Sequence, residues 1–400
     1  MNTVSKALLT NDITMLLYGI SAVLIGPTLP RIIAGFDLSL SAAGLIGTLQ
    51  NVGGFVGALV ALIIADRVSR PGVILVSFGL LAAALFSIGM AERYLSLLLA
   101  FAISGLFIRI LDVMLNAHTG DLAPNESGKE LSTLHMYFSI GAFAGPLLAG
   151  GLMRFGMSWS GVYQVVAIGY LMVLVVTAGL FRSYLSSGRG PKSDDPTEVD
   201  GQNAGAARPA IAVGLLSVLL FFYAIHQIGV VGWLPYYLEV GRGAAPDTAN
   251  GSLSLYWIGI VFGRFLGARF VSRAGARNIL FIGALIAAAA SAAGVLVPVP
   301  PVAVAAFFLA GLASGGTIPL AYSVGYEMVP RRSGSVTAWM AIIMLAGRAL
   351  GPWVIGVVAD SLTLLVAMLI PAVALVGTGV LGACLGCIAT TRVVSETRAT

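Results

Sequence analysis

Long apolar runs alternate with short polar turns along most of the chain. An α-helix needs about 20 predominantly apolar residues to cross the hydrocarbon core of a bilayer. Twelve runs suit that length, and they cover 13–34, 43–64, 71–91, 95–117, 131–153, 161–181, 211–238, 251–272, 278–297, 301–323, 335–358 and 362–388. The first run is too long for a cleavable secretory signal and lacks a small-residue cleavage site, so it is interpreted as a spanning helix. The pattern predicts an all-α membrane protein with twelve transmembrane helices.

The composition agrees with this prediction and argues against soluble functions. Hydrophobic residues make up 58% of the chain and charged residues 10%, against roughly 25% charged residues in a soluble domain. The sequence contains no nucleophile–base motif, no nucleotide-binding loop and no set of metal ligands. Its two cysteines, Cys384 and Cys387, are interpreted as packing residues rather than a redox pair or part of a soft-metal site. We therefore expect neither an enzyme nor an ATP-driven pump, and neither a cofactor nor a metal ion.

The distribution of basic residues predicts how the chain lies in the membrane. With the N-terminus inside, 15 of the 22 Lys and Arg residues fall in inner loops and termini and four in outer loops. The other three are the intramembrane arginines Arg109, Arg264 and Arg348. This bias predicts a multi-pass protein of the cell's inner membrane with both termini in the cytoplasm. Because the basic residues report topology, nothing supports a nucleic-acid partner.

The chain repeats itself at a constant offset of 206 residues. Arg67 and Arg273 hold equivalent places in two inner turns, and Gly105-Leu106 matches Gly311-Leu312. A third match is the run Gly141, Gly145, Pro146 and Gly150, which recurs as Gly347, Gly351, Pro352 and Gly356. These matches predict two copies of one six-helix fold, 1–181 and 211–400. The polar stretch 182–210 between them, with its Gly, Ser, Pro and charged residues, predicts a flexible cytoplasmic linker.

The inner turns carry a motif as well as charge. They read 66-DRVSR-70 and 271-VSRAGAR-277. With the twelve segments and the repeat, these turns resemble the major facilitator superfamily, whose usual turn reads G-x-x-x-D-R-x-G-R. The resemblance covers essentially the whole chain and implies a functional monomer that transports by alternating access. It also implies a cytoplasmic latch, with positive-inside anchoring as the alternative, at Asp66, Arg67, Arg70, Arg273 and Arg277.

Four stretches are similar to one branch of that superfamily, the fucose/galactose/glucose–proton symporters. They are 112-DVMLN-116, 134-LHMYFSIGAFAGP-146, 232-GWLPYYL-238 and 257-WIGIVFGR-264. This resemblance implies sugar transport coupled to protons moving in the same direction. The glycine run at 141–150 is also similar to a motif of drug–proton antiporters, G-x3-G-P-x2-G-G. Here one additional residue follows the proline, which argues against an antiporter.

One acidic residue, Asp112, lies deep inside an apolar run. Arg109 and Asn116 stand three residues before and four residues after it, so one helix face presents all three side chains. An ionised group at that depth costs several kcal/mol unless it is paired or functional. Asp112 and Arg109 are therefore the candidate proton-coupling pair, in which the carboxylate exchanges its counter-ion for a proton. The alternative is a permanent ion pair that only offsets the cost of burial.

Polar residues of other segments are candidates for solute binding. Three intramembrane arginines against one acid favour an anionic solute, and Arg348 is the most central of them in the second half. Arg264 either adds to this charge or extends towards the membrane surface. His226 is either a ligand of solute or proton or a packing histidine, and His135 has a gating or a structural role. The candidate set for solute binding is Asn116, His226, Gln227, Arg348, Gln50, Asn51 and Tyr256.

Three functions remain open at this point. The first is secondary active transport of a small polar solute, a sugar or an organic anion, by proton-coupled symport. The second is proton-driven export of amphipathic drugs or lipids, which the abundant apolar lining favours. The third is a receptor or scaffold, which conflicts with an intramembrane ion pair. We predict the first, with a small-molecule solute, a proton and the lipid bilayer as partners.

Overall fold

The computed structural model describes residues 3–64, 67–124, 126–186, 207–329 and 333–396. Within these ranges, twelve helices are long and apolar enough to cross a membrane, as the sequence predicts. They are α1 (Thr3–Val23, continued by Ile25–Phe36), α2 (Leu40–Ile64), α3 (Arg70–Gly89), α4 (Tyr94–Leu122), α5 (Ser127–Arg154), α6 (Trp159–Ser186), α7 (Ala207–Tyr236), α8 (Pro246–Ala274), α9 (Ala276–Leu296), α10 (Pro300–Ser314 and Thr317–Met328), α11 (Ser333–Ser361) and α12 (Leu364–Glu396).

Three helices contain irregularities that the apolar pattern does not indicate. α1 is interrupted at Leu24 and α10 at Gly315 and Gly316. α7 ends in a π-helical turn, Tyr237–Gly241, directly after Pro235, which supplies no backbone N–H for a helical hydrogen bond. Leu24 and the two glycines lie inside apolar runs, so hydropathy alone does not reveal the interruptions.

α2 and α4 approach each other so closely that glycine is required at their crossing. A Cβ added to Gly105 on α4 would lie 1.8 Å from the carbonyl oxygen of Gln50 on α2. In the second half, a Cβ added to Gly311 on α10 would lie 2.3 Å from the carbonyl oxygen of Tyr256 on α8. Both partners of the second contact stand 206 residues after those of the first. The offset found in the sequence is thus also an offset of backbone contacts.

The glycine–proline runs of α5 and α11 make a second repeated contact. A Cβ added to Gly141 would lie 2.1 Å from the carbonyl oxygen of Leu16 on α1, and one added to Gly347 would lie 2.3 Å from that of Phe221 on α7. Small residues let the backbones of membrane helices approach in this way. The repeated contacts confirm the predicted fold class of two pseudo-symmetric six-helix halves.

The chain divides into two compact units, Met1–Val199 and Asp200–Thr400. In the first unit, α1 packs on α5, α2 on α4 and α3 on α6; in the second, α7 packs on α11, α8 on α10 and α9 on α12. α6 continues to Ser186 and α7 begins at Ala207, so both helices extend into the stretch expected as a linker. The remainder of that stretch, 187–206, lies outside the described residues.

Large apolar side chains point outward along the helices. Leu62, Val175 and Phe265 are 76%, 76% and 68% exposed. Exposed apolar side chains at this frequency are unfavourable in water and favourable against lipid. The outer surface therefore agrees with the bilayer that the helix lengths predict.

Candidate functional site

The predicted ion pair of α4 forms and belongs to a longer polar chain. Arg109 Nη1 donates to Asp112 Oδ2 at 2.8 Å. Asn116 Nδ2 donates to Asp112 Oδ1 at 3.2 Å and to the Asp112 carbonyl oxygen at 2.8 Å. His135 Nε2 on α5 lies 3.0 Å from Asn116 Oδ1. Because that oxygen only accepts, His135 is the donor, and four side chains join α4 to α5.

The ion pair is not sealed inside the first unit. The side chains of Arg109 and Asp112 are 21% and 17% exposed. A carboxylate that receives two side-chain donors and still reaches the surface is both stabilised as an ion and open to exchange with a ligand or a proton. Asn116, predicted as a solute ligand, contacts Asp112 directly, so the proton-coupling and solute-binding candidates meet at this point.

A second buried acid corrects the expectation that Asp112 stands alone. Asp12 lies on α1 and is 8% exposed, inside the candidate span Val4–Phe36. The sequence analysis began the first apolar run at residue 13 and so placed Asp12 outside it. The apolar triplet Ala7, Leu8 and Leu9 before Asp12 is the signal that would have extended the run.

Next to Asp12, a polar contact joins α1 to the inner end of α4. Asn11 Nδ2 donates to Thr119 Oγ1 at 2.9 Å, and the Asn11 amide lies 3.2 Å from His118 Nδ1. Asp12 also interacts electrostatically with Glu130 of α5. Sequence reasoning missed these residues because each is unremarkable in its own segment and only the packing of α1, α4 and α5 brings them together.

The second unit gathers four predicted residues into one cluster, the α7 cluster. His226 Nε2 lies 3.2 Å from the Tyr256 hydroxyl of α8. Gln227 Nε2 donates to the Tyr223 hydroxyl at 3.3 Å, and Arg348 Nη1 of α11 approaches Gln227 Oε1 at 3.5 Å. The last distance is at the limit of a hydrogen bond. Predicted ligands from three different helices thus come together.

One member of the α7 cluster was not predicted. Ser314, the last residue before the interruption of α10, hydrogen-bonds to the hydroxyls of Tyr223 and Tyr256. Its serine hydroxyl gives no chemical signal in a glycine- and alanine-rich segment. The equivalence of α10 with α4 is the clue that would have drawn attention to it.

Two other predicted ligands make local contacts instead. Gln50 Nε2 donates to Ser104 Oγ on α4 at 3.4 Å. Asn51 Nδ2 donates to the Gly47 carbonyl oxygen of its own helix at 2.8 Å. These contacts stabilise the α2–α4 crossing, and they give Gln50 and Asn51 a structural use in the first unit.

The cytoplasmic turns show one contact that the motif does not predict. Arg70 forms an ion pair with Asp121 of α4 and donates to the Ala117 carbonyl oxygen at 3.3 Å. Arg70 therefore ties the start of α3 to the end of α4. Of the other latch residues, Arg67 and Arg273 are exposed and Arg277 is partly exposed, while Asp66 lies outside the described residues.

The ion pair of α4 leads to a stability prediction. Arg109→Ala leaves the Asp112 carboxylate without its counter-ion, whereas adding Asp112→Asn removes the unpaired charge. We expect the double variant to be more stable than Arg109→Ala by about 2 kcal/mol, a value reduced for partial exposure. Thermal unfolding of the purified variants in detergent measures this difference. A double variant no more stable than the single one would show that Asp112 needs no counter-ion.

Twelve spanning helices, a tandem repeat and an intramembrane ion pair define the class of multi-pass membrane transporters. Comparison with known families agrees: the profile of the Major Facilitator Superfamily matches residues 12–352 and 216–389. This chain belongs to the major facilitator superfamily, whose members are transporters and not enzymes.

Related sequences are distant. An uncharacterised MFS-type transporter of Yersinia pestis is 23% identical over 342 residues, which cover 85% of this chain and 86% of that protein. Protein TsgA of Shigella flexneri is 27% identical over 138 residues, covering 34% of this chain and 33% of that protein. The first relative extends over nearly the whole chain and the second over about a third of it.

Solved structures share the fold at low identity. A bacterial homologue of the human lysosomal transporter Spinster has a TM-score of 0.80 at 18% identity, covering 96% of both chains. The nucleoside transporter NupG has a TM-score of 0.75 at 16% identity, covering 97% of this chain and 99% of its own. The E. coli fucose:proton symporter FucP has a TM-score of 0.62 at 18% identity, covering 96% and 99%. These likenesses confirm the major facilitator fold.

Proposed function

We propose that this protein is a proton-coupled symporter that brings a small polar solute, a sugar or an organic anion, across the cell's inner membrane by alternating access. It acts as a monomer with both termini in the cytoplasm. The observation that carries the proposal is the Asp112 carboxylate, which is held by Arg109 and Asn116 within a membrane helix and remains partly exposed. A nucleoside transporter and a fucose:proton symporter among the structural neighbours support a polar solute.

Coupling follows from the competition for the Asp112 oxygens. While Asp112 is ionised, Oδ2 accepts from Arg109 and Oδ1 from Asn116. A proton on the carboxyl group removes the charge that holds the guanidinium and turns one acceptor oxygen into a donor. Arg109 and Asn116 are then available to a solute. Proton and solute binding therefore favour each other, as symport requires.

His135 extends this coupling to α5. Its Nε2–H donates to the same Asn116 side chain that donates to Asp112. A change at the carboxylate alters the hydrogen bond between α4 and α5 through Asn116. Alternating access requires such a link between a binding event and the relative energies of two conformations.

The proposal is tested with purified protein in liposomes that contain a pH-sensitive dye. We expect an inward proton gradient to drive accumulation of at least one sugar or organic acid, and addition of that solute to acidify the interior. An uncoupler should abolish both signals. Efflux of amphipathic compounds against a proton influx would instead support the exporter hypothesis.

A further inference from the structure

The second unit carries positive charge inside the membrane without acidic residues beside it in the sequence. Arg264 lies ten residues before the end of α8, and Arg348 lies near the middle of α11. No Asp or Glu occurs in 248–326 or 333–359. These segments contain most of α8, all of α9, α10 up to its last turn and nearly all of α11. Their interior charge is therefore positive.

The two guanidinium groups converge on one tyrosine. Arg264 and Arg348 both interact electrostatically with the Tyr223 hydroxyl, and Arg264 also interacts with that of Tyr256. Arg264 thus reaches inward to the α7 cluster rather than to the membrane surface, which settles the alternative left open by its position. Its Nε is buried and has no hydrogen-bond partner among the described residues.

Two guanidinium groups near one hydroxyl repel each other, and the low-polarity surroundings strengthen the repulsion. Neutral partners such as the Gln227 amide, at 3.5 Å from Arg348 Nη1, do not balance this charge. An anion between the guanidiniums would turn the repulsion into attraction, because carboxylates match the planar donor pattern of arginine. Both arginines are partly exposed, so they present donors outside the buried polar cluster.

The groups behind the arginines suit hydroxyl recognition. Tyr223, His226, Gln227 and Tyr256 are at most 5% exposed, and their hydrogen bonds to one another and to Ser314 fix their positions. Fixed donors and acceptors recognise a polar ligand without the cost of ordering flexible side chains.

We propose that Arg264 and Arg348 form the anion site of the second unit and that the transported solute is a small hydroxylated carboxylate. This inference rests on the proposed transport function and narrows its substrate class from sugar or organic anion to organic anion. The α7 cluster positions the two arginines, which contact the carboxylate.

Calorimetric titration of the purified full-length protein in detergent tests the proposal with matched probes. Each pair contains a carboxylate and a neutral counterpart of similar size: gluconate and sorbitol, glucuronate and glucose, lactate and propane-1,2-diol. We expect at least one carboxylate to bind more than about tenfold more tightly than its counterpart, because one charged contact is worth a factor of this size. A panel in which no carboxylate binds better than its neutral counterpart overturns the proposal.

Variants assign the affinity to the two arginines. We expect Arg264→Gln and Arg348→Gln each to weaken carboxylate binding by about tenfold or more, and the corresponding Lys variants to weaken it less. Arg269→Gln is the matched control, since Arg269 lies on the same helix and is exposed; it should bind like the unaltered protein. Gln variants that elute as monodisperse protein and retain full affinity contradict the proposal.

The experiment separates this inference from the symport proposal. Binding needs no gradient, so Asp112→Asn should still prefer the carboxylate. If a carboxylate binds through the arginines but its uptake ignores a pH gradient, proton coupling is wrong and the anion site stands. If a neutral sugar is taken up with protons while no carboxylate is preferred, the anion site is wrong and symport stands.

Discussion

Asp112→Asn is expected to abolish solute uptake driven by a pH gradient while leaving solute exchange at equal pH at least partly intact. The amide has the size of the protonated acid and carries no charge, so the protein is held in the state that follows proton binding. It no longer releases a proton on the inner side, and net uptake stops. Exchange between solute pools needs no proton release and should continue. Both rates are measured in the same batch of proteoliposomes.

Asp247→Asn is a suitable control, because Asp247 is an exposed acid in the first turn of α8. The change removes the same charge at a distance from the α4 ion pair, and gradient-driven uptake should persist. Full gradient-driven uptake by Asp112→Asn would mean that the Arg109–Asp112 pair is a permanent ion pair. Coupling would then lie elsewhere, and His226 would be the next residue to test.

Gly105→Ala is expected to destabilise the protein severely, by about 3 kcal/mol or more. The added Cβ would lie 1.8 Å from the Gln50 carbonyl oxygen and 2.7 Å from its carbonyl carbon. Both belong to backbone, which cannot rotate away, so α2 and α4 must separate and lose the packing along their crossing. We expect a melting temperature lower by roughly 10 °C in detergent, with a low yield of monodisperse protein.

Gly120→Ala provides the comparison within the same helix. Nothing lies within 4 Å of a Cβ added at Gly120, and alanine favours helix over glycine by about 1 kcal/mol. Its melting temperature should be unchanged or slightly higher. Equal melting of the two variants would show that the α2–α4 contact relaxes at little cost and that the glycine is not required there.

The fold was predictable because its signals are local or repeated. Apolar length reports each spanning helix independently of all others, and the offset of 206 residues connects the halves without knowledge of contacts. The pair Arg109–Asp112 was predictable for the same reason, since both residues lie on one helix face. In each case the relevant distance along the chain is short or constant.

The rest depended on which helices touch. The partner of Arg70 is Asp121, 51 residues away on α4, and no spacing rule connects them. Ser314 became part of the α7 cluster only because α10 crosses α8 and α7 beside it. Asp12 was missed for a simpler reason, because one acid at the boundary of an apolar run shifts the apparent start of a helix. Turn motifs and apolar windows contain no information on these cross-helix contacts.

The interruption of α10 has a consequence for how the two copies have diverged. Gly315 stands 206 residues after Arg109, so the same level of the ancestral unit now holds a charged side chain in one copy and a broken helix in the other. The position equivalent to Asp112 is Ile318, which cannot ionise. A protein assembled from two copies of the first unit would therefore carry two acidic sites and no helix break, and one assembled from two copies of the second would carry no acid at this level. The duplication supplied a symmetric scaffold, but neither descendant can now replace the other.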